Sequence, residues 1–331
     1  MEAGSHTQAT QLVAVDIGGT HARFALAEIA GGRVVSLGEE CTLKTAGHAS
    51  LQTAWEEFGA RTGRPLPPAA AIAIAGPPTG EVLKLTNNPW VIRPAAIGET
   101  LGVERFVLVN DFGAVAHAVA QLPADCFAHL CGPERDLPTE SVVSIVGPGT
   151  GLGVAQLVRR SGRDHVVETE GGHIDFAPLD ALEDRILQQL RTTFRRVSVE
   201  RIASGQGLRN LYEALARIEG RPIEQRDDAA LWQAALGGED SLAAAAFDRF
   251  CLALGAVAGD IALAQGAEAV VIGGGLGLRL ADRLPRSGFR DRFIAKGRFE
   301  RRMDEMPVKL ITHKQPGLFG AAAAFAARYG G

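Results

Sequence analysis

The sequence predicts an α/β protein made of two related halves. Three observations carry that expectation. Apolar β-type runs alternate with helix-patterned segments along the 331 residues. Two of the runs, far apart in the chain, break at a Gly-Thr turn and resume as a second strand. Several others stop abruptly at Asn, Asp or Gly, the chemistry expected where ligands collect beyond strand carboxyl ends.

Met1 to Gln11 is polar and lacks the basic start and apolar core of a signal peptide, so residues 1–11 read as a disordered lead-in. The first hairpin follows: Val13-Ala14-Val15-Asp16-Ile17, the turn Gly18-Gly19-Thr20, and a return strand through Arg23 into Phe24-Ala25-Leu26. A helix is expected over 50–62, a buried strand over 70–75 and a short strand at Val82-Leu83-Lys84-Leu85 leading to Thr86-Asn87-Asn88-Pro89-Trp90. A helical segment follows over 97–101, then a buried strand over 105–109 that ends at Asn110-Asp111, and a helix over 112–121. The polar, Pro-containing stretch 122–140 separates the halves. The second half opens with Val142-Val143-Ser144-Ile145-Val146, the turn Gly147-Pro148-Gly149-Thr150-Gly151-Leu152-Gly153 and a return strand from Val154. Helices are expected over 180–193, 199–202, 207–218, 228–236 and 240–265. A buried strand, Ala269-Val270-Val271-Ile272, runs into Gly273-Gly274-Gly275, and an Ala-rich helix closes the chain over 316–329. Strands running in one direction through such alternation are expected to be parallel.

The two Gly-Thr turns point to phosphate. Overlaid, Gly19 falls on Gly149, Thr20 on Thr150 and Ala25 on Ala155. Glycine permits positive φ and lets backbone N–H groups approach phosphate oxygens. The Thr hydroxyls add donors, and Asp16 is placed to hold Mg²⁺ through its waters. Two grips from two halves suggest a nucleotide held by both, and so a phosphotransferase. Ordinary β-hairpins are the plain alternative for each turn taken alone. A Walker A loop is excluded because neither turn ends in Gly-Lys-Ser/Thr. A dinucleotide fingerprint is excluded because Leu152 stands where its third Gly belongs and a strand, not a helix, follows.

Three further positions carry chemistry. Asp111, just beyond a buried strand, can take a proton from an attacking hydroxyl; its alternative is a helix N-cap. Glu170 and His173 flank Gly171-Gly172, which lets both side chains point into one cavity and suits a polyol; a solvated turn is the alternative. Glu200 follows Ser198 and doubles as an ordinary helix-start glutamate.

Composition sets limits. The net charge of −4 suggests neither nucleic acid nor an anionic membrane as partner. No uninterrupted apolar run of about 18 residues is present, and a cytoplasmic location is expected. Cys41, Cys126, Cys131 and Cys251 are scattered without C-x-x-C pairs or zinc-finger spacing, and read as buried or idle thiols.

Taken together, these residues carry a resemblance. Asp16-x-Gly-Gly-Thr-x-x-Arg23, Leu-x-Asn110-Asp111-Phe112, Gly147-x-Gly-Thr-Gly-Leu-Gly, Glu170-Gly-Gly-His173-x-Asp-Phe and Ser198-x-Glu200-Arg201-x-x-Ser-Gly occur in order. Gly273-Gly-Gly, Ser287-Gly-Phe-Arg, Lys296-Gly-Arg-Phe and Pro316-Gly-Leu follow them. From Leu12 onward the chain resembles bacterial glucokinases. It lacks the C-x-C-G-x-x-G-C zinc cluster of the repressor/open-reading-frame/kinase sugar kinases and the helix-turn-helix extension of their regulatory members.

The resemblance implies an actin-like (ribonuclease H-like) two-lobe fold with the active site in the interdomain cleft. The small lobe would span 12–121, completed by the helix over 316–330, and the large lobe 122–315. It implies ATP-dependent phosphorylation of glucose at the 6-hydroxyl, as in glycolysis, with Mg²⁺. Asp111 would be the general base, and Asn110, Glu170, His173 and Glu200 would hold the remaining hydroxyls. Gly18, Gly19 and Thr20, with Asp16 and Arg23 beside them, and Gly149, Thr150 and Gly151 would take the phosphates. Gly273, Gly274 and Gly275 would lie near the adenosine. A homodimer is implied as well. His21, where many relatives have Asn, and Asn88, where His is frequent, depart from the pattern. Another hexose as substrate, or a sugar and nucleotide sensor without turnover, are the alternatives.

Overall fold

A computed structural model describes residues 9–85 and 88–330, which divide into two compact units: the described residues up to 123 together with 313–330, and 124–312. Thr86 and Asn87 lie outside the described residues, as does the lead-in up to Gln8.

The first unit begins with β1 (Thr10–Ile17), β2 (His21–Ala30), β3 (Arg33–Leu37) and β4 (Cys41–Lys44). Thr10 and Gln11 are therefore strand and not a disordered lead. They pair with Ile29 and Glu28, and the Gln11 amide donates to the Glu28 carboxylate at 2.7 Å. Next come α1 (Leu51–Thr62), β5 (Ala69–Ile74), β6 (Leu83–Lys84), β7 (Val91–Ile92), α2 (Ile97–Leu101), β8 (Arg105–Asn110) and α3 (Asp111–Gln121). Helix α1 starts where it does because Ser50 and Thr53 form a reciprocal capping box, and it stops at Gly63 in the left-handed conformation.

The second unit contains β9 (Phe127–Cys131), β10 (Ser141–Pro148), β11 (Leu152–Arg160), β12 (Arg163–Thr169), α4 (Ala181–Arg191), α5 (Gly205–Glu219), α6 (Asp228–Gly237) and α7 (Ser241–Gln265). It continues through β13 (Ala269–Ile272), α8 (Gly274–Arg279), α9 (Phe289–Ile294), α10 (Glu300–Asp304) and β14 (Val308–Ile311). The chain then returns to the first unit as α11 (Pro316–Tyr329).

The two sheets share one plan. In the first the order is β3-β2-β1-β5-β8, with β4 also paired to β2; in the second it is β12-β11-β10-β13-β14, extended by β9. In both, a meander of three antiparallel strands leads into two further strands added in parallel. The expected parallel strands are thus present, but each sheet is mixed.

Period-two alternation in the strands sorts the first unit's core into two faces. Val13, Val15, Ile17, Phe24, Ile72 and Ile74 pack with Trp55 and Phe58 of α1 and with Trp90. Leu12, Ala14, Ala25, Ala71 and Ala73 face the other way, against Leu318, Ala321, Ala322 and Phe325 of α11. Alanines on both partners let helix and sheet approach closely. The second unit's core lies on the sheet face bearing Val146, Val154, Val270, Ile272, Val308 and Leu310, covered by α4, α5, α6 and α7. Helix α7 runs for 25 residues, and its mainly apolar central stretch is mostly buried in that core.

Gly320 of α11 meets α3 with no room to spare, since a Cβ there would run into the carbonyl oxygen of Ala114. Gly320→Ala is expected to lower stability by about 1–3 kcal/mol, the usual cost of overpacking, read as a reduced midpoint in chemical denaturation.

Candidate active site

Parallel register brings the first unit's candidate residues to one level. Ile17 of β1 pairs with Ile74 of β5, and Ile74 pairs with Asn110 of β8, so three strands reach their carboxyl ends together. Asp16 lies at the end of the first, Asn110 and Asp111 at the end of the third.

Asn110, not Asp111, caps α3. Its Oδ1 accepts from the Phe112 and Gly113 N–H groups at 2.8 and 3.1 Å, and its Nδ2 donates to the Gly76 carbonyl at 3.2 Å. Asp111 is the first helical residue, its carboxylate accepting from the next N–H, Phe112, at 2.9 Å. A carboxylate in the first turn is favoured by the helix dipole in its ionised form, which is the proton-accepting one.

Asp16 shares the parity of Leu12 and Ala14 and so faces α11. Its carboxylate sits where a side chain on Gly317 would be, with a Cβ there only 2.8 Å from Oδ2. That contact accounts for the glycine in Pro316-Gly-Leu. Arg23, opposite Asp16 across the β1–β2 hairpin, donates to it at 3.2 Å and lies 3.4 Å from Glu40. Burial pushes the Asp16 carboxyl above the ordinary range, against the pull of Arg23.

The turn at 18–20 is held by its carbonyls. The Gly18 oxygen accepts from Asn88 Nδ2 at 2.8 Å, the Gly19 oxygen from Thr45 Oγ1 at 3.1 Å and the Thr20 oxygen from the Thr45 N–H at 3.0 Å. Thr20 Oγ1 lies 3.0 Å from His21 Nδ1. Asn88, noted in the sequence only as a departure, therefore secures the turn.

The second turn is built differently. Three residues, 149–151, lie between the pair Pro148↔Leu152, whereas four, 18–21, lie between Ile17↔Ala22. The overlay of the two sequences slips by one residue across the turn. The Gly149 N–H donates to the Gly151 carbonyl at 2.8 Å, and the Gly149 carbonyl accepts from Gly205 N–H at 2.7 Å. Glu200, in a single 3₁₀ turn (Val199–Arg201), accepts the Leu152 N–H at 3.0 Å and fills the space beside Gly151, where a Cβ would collide with its carboxylate. Gly273 donates to the Val146 carbonyl at 2.9 Å, and Gly274 packs on the Pro148 carbonyl. The glycines after β13 and the turn after β10 are thereby neighbours.

Positive φ does not explain most of these glycines. Among Gly18, Gly19, Gly149, Gly151 and Gly273 to Gly275, only Gly274 is left-handed, at φ +79°. Open space does better at Gly149 and Gly275, beside which a Cβ would meet nothing within 4 Å. Gly171 and Gly172 also differ from expectation. They are small because the turn lies against β11, where side chains would strike Val154 and the Leu152 carbonyl. Glu170 and His173 nevertheless share one side of that turn, 3.9 Å apart and both more than half exposed. Backbone bonds from Phe176 to Val197 and from Val199 to Ile174, both 2.9–3.0 Å, tie this turn to the one carrying Glu200.

Two sheets of this order, each opened by a Gly-Thr hairpin, are those of the actin-like ATPase fold, and the chain's relatives make it a sugar kinase of that fold. The profile of the Glucokinase family matches residues 12–328, and the chain belongs to that family. It is 67% identical over 319 residues to a glucokinase of Zymomonas mobilis, covering 96% of this chain and 98% of that one. Among solved structures, a glucokinase from an Antarctic psychrotroph is similar at TM-score 0.83 and 34% identity, covering 96% and 99% of the two chains. A Balamuthia mandrillaris glucokinase in complex with glucose matches at TM-score 0.78 and 21% identity, covering 98% and 96%, and at that identity supports the fold.

Because burial raises the Asp16 pKa, folding favours its protonated form: that contribution to stability is present below the unfolded pKa and lost as pH rises through the folded one. Above both pKa values the ionised carboxylate costs stability. Asp16→Asn is expected to raise the thermal midpoint at pH 7, and the gain should shrink as the pH is lowered through the folded pKa.

Proposed function

We propose that this chain transfers the γ-phosphoryl group of ATP to the 6-hydroxyl of D-glucose, releasing ADP and glucose 6-phosphate. The observation that carries the assignment of the base is the cap of α3. Asn110 takes the capping work, so Asp111 stands at the helix start as a carboxylate able to receive the 6-hydroxyl proton. As that proton moves to Asp111, the sugar oxygen bonds to the γ-phosphorus and the bond from phosphorus to the ADP oxygen breaks. Such transfer depends on positioning and charge stabilisation more than on covalent help.

Asn110, Glu170, His173 and Glu200 bind the other hydroxyls. Carboxylates accept from vicinal hydroxyls, and the exposure of Glu170 and His173 together on one turn supports that reading. Glu200 has a second task as well, since one of its oxygens secures the turn at 149–151. Gly18, Gly19 and Thr20, with Gly149, Thr150 and Gly151, bind the phosphates through backbone N–H groups and hydroxyls. Arg23 restrains Asp16, and Gly273 to Gly275 lie along the adenosine. Mg²⁺ arrives with the nucleotide as part of the substrate and shields its phosphate charge; one buried-edge carboxylate, Asp16, suits an ion that keeps most of its waters. A cytoplasmic homodimer belongs to the same reading.

A coupled assay for glucose 6-phosphate with ATP, Mg²⁺ and glucose tests the reaction. Asp111→Asn should keep glucose affinity within several-fold and lower kcat by roughly 10²–10⁴, the usual worth of a general base. Near-normal turnover would remove Asp111 from that role. Glu170→Gln should weaken glucose binding in calorimetry and leave ATP affinity unchanged; equal loss of both would point to a folding role.

A further inference from the structure

The turn at 18–20 has an uneven hydrogen-bond account. All three of its carbonyl oxygens are bound by Asn88 and Thr45. The N–H of Gly18 is bound by the His21 carbonyl at 2.9 Å, but those of Gly19 and Thr20 meet no acceptor among the described residues. A peptide plane whose oxygen is fixed has its neighbouring N–H direction fixed too. The two bonds that fix the oxygens of Gly18 and Gly19 therefore aim the N–H groups of Gly19 and Thr20.

The donors that do this are themselves anchored at one point. Trp90 is 1% exposed. Its backbone N–H donates to Asn88 Oδ1 at 2.9 Å, which orients the Asn88 amide so that Nδ2 meets Gly18. Its indole Nε1 donates to the His48 carbonyl at 2.9 Å, closing the short turn that carries Thr45. His48 adds Nδ1 to the Lys44 carbonyl at 3.0 Å and Nε2 to Glu57 at 2.8 Å, so the Thr45 turn is held from both ends. Thr45 is 1% exposed and places both its N–H and its hydroxyl on the phosphate turn. The hydroxyl of this buried threonine donates to the phosphate turn and not to a carbonyl of its own 3₁₀ turn.

We propose that Thr45 and Asn88, joined through Trp90, are positioning residues for the nucleotide: they hold the oxygens of residues 18–20 inward so that two backbone N–H groups face the phosphates of ATP. The proposal rests on the reading of this turn as a phosphate site. It also explains why Asn stands at 88. An amide supplies one acceptor for Trp90 and one donor for Gly18 from a single short side chain.

The test is a set of four variants assayed with ATP varied at saturating glucose, with glucose binding measured by calorimetry without nucleotide. Thr45→Val keeps the shape of the side chain and loses the hydroxyl. It should lower kcat/KM for ATP by roughly 10–100-fold, the scale of a misplaced binding group, while glucose affinity stays within twofold. Thr45→Ser should recover most of the loss. Asn88→Asp keeps the acceptor for Trp90 but removes the donor to Gly18, and should show the same ATP-selective defect. A loss in Thr45→Val that Ser does not recover, or that falls equally on glucose, would overturn the proposal in favour of a general folding role. Gly19→Pro deletes one of the aimed N–H groups directly and separates the two readings. If it impairs ATP use but Thr45→Val does not, the bracket is wrong and the phosphate turn stands. If neither impairs ATP use, the phosphate reading falls and takes the bracket with it.

Discussion

The parallel pairing of β1, β5 and β8 is the constraint on which the first unit's chemistry depends. Because Ile17, Ile74 and Asn110 are in register, the chain leaves the sheet at one level three times. Each exit delivers something different: a buried-edge carboxylate and a Gly-Thr turn, a Gly-Pro-Pro loop whose Gly76 carbonyl receives Asn110, and a capped helix start bearing Asp111. A slip of one residue in either pairing would send Asp16 or Asn110 to the opposite face of the sheet. Both faces of β1 and β5 are apolar, but they differ in side-chain size, with Val13, Val15, Ile72 and Ile74 on one and Ala14, Ala71 and Ala73 on the other. That difference opposes the slip, so the core and the site are specified by the same residues.

The second unit repeats the strand order but secures its turn by other means. At 18–20 the locking groups are neutral, an amide and a hydroxyl acting on carbonyl oxygens. At 149–151 the lock is a carboxylate acting on the N–H of Leu152, with the Gly205 N–H on the Gly149 carbonyl. The two hairpins thus share a topology but not a lock: an amide and a hydroxyl donate to carbonyl oxygens at one, and a carboxylate accepts an N–H at the other. Likeness of strand order has not imposed likeness of chemistry.

Much of this was legible in the chain. Helices α1 and α5 announce themselves by period, α6 and α7 by Ala- and Leu-rich composition, and all four by Ser or Asp before them and Gly after, while β5, β8, β10 and β13 are short, mostly apolar runs. The candidate residues were found because glycine clusters and strand-end carboxylates are local signals. What escaped was non-local. Strand β12 carries Arg163, Asp164, His165 and Glu168 on an exposed edge, so no apolar alternation marks it. Strand β9 hides in the stretch read as a separator, because its pairing is with β14, far along the chain. Thr45 is an unremarkable threonine in sequence; only folding brings it to the carbonyls of Gly19 and Thr20. The reasons for Gly151, Gly172 and Gly317 were likewise invisible, each being set by a neighbour distant in sequence.

Helix α11 has a consequence for the order in which the protein can be made. It covers the alanine face of the first sheet, yet it is synthesised after the whole of the second unit. While the ribosome works through residues 124–312, Leu12, Ala14, Ala71 and Ala73 have no helix over them and the Gly320 crossing with α3 does not exist. The second unit is contiguous and can complete its core as it emerges, whereas the first stays open on one side until its last helix is delivered. The N-terminal half of this chain is therefore the later half to finish folding.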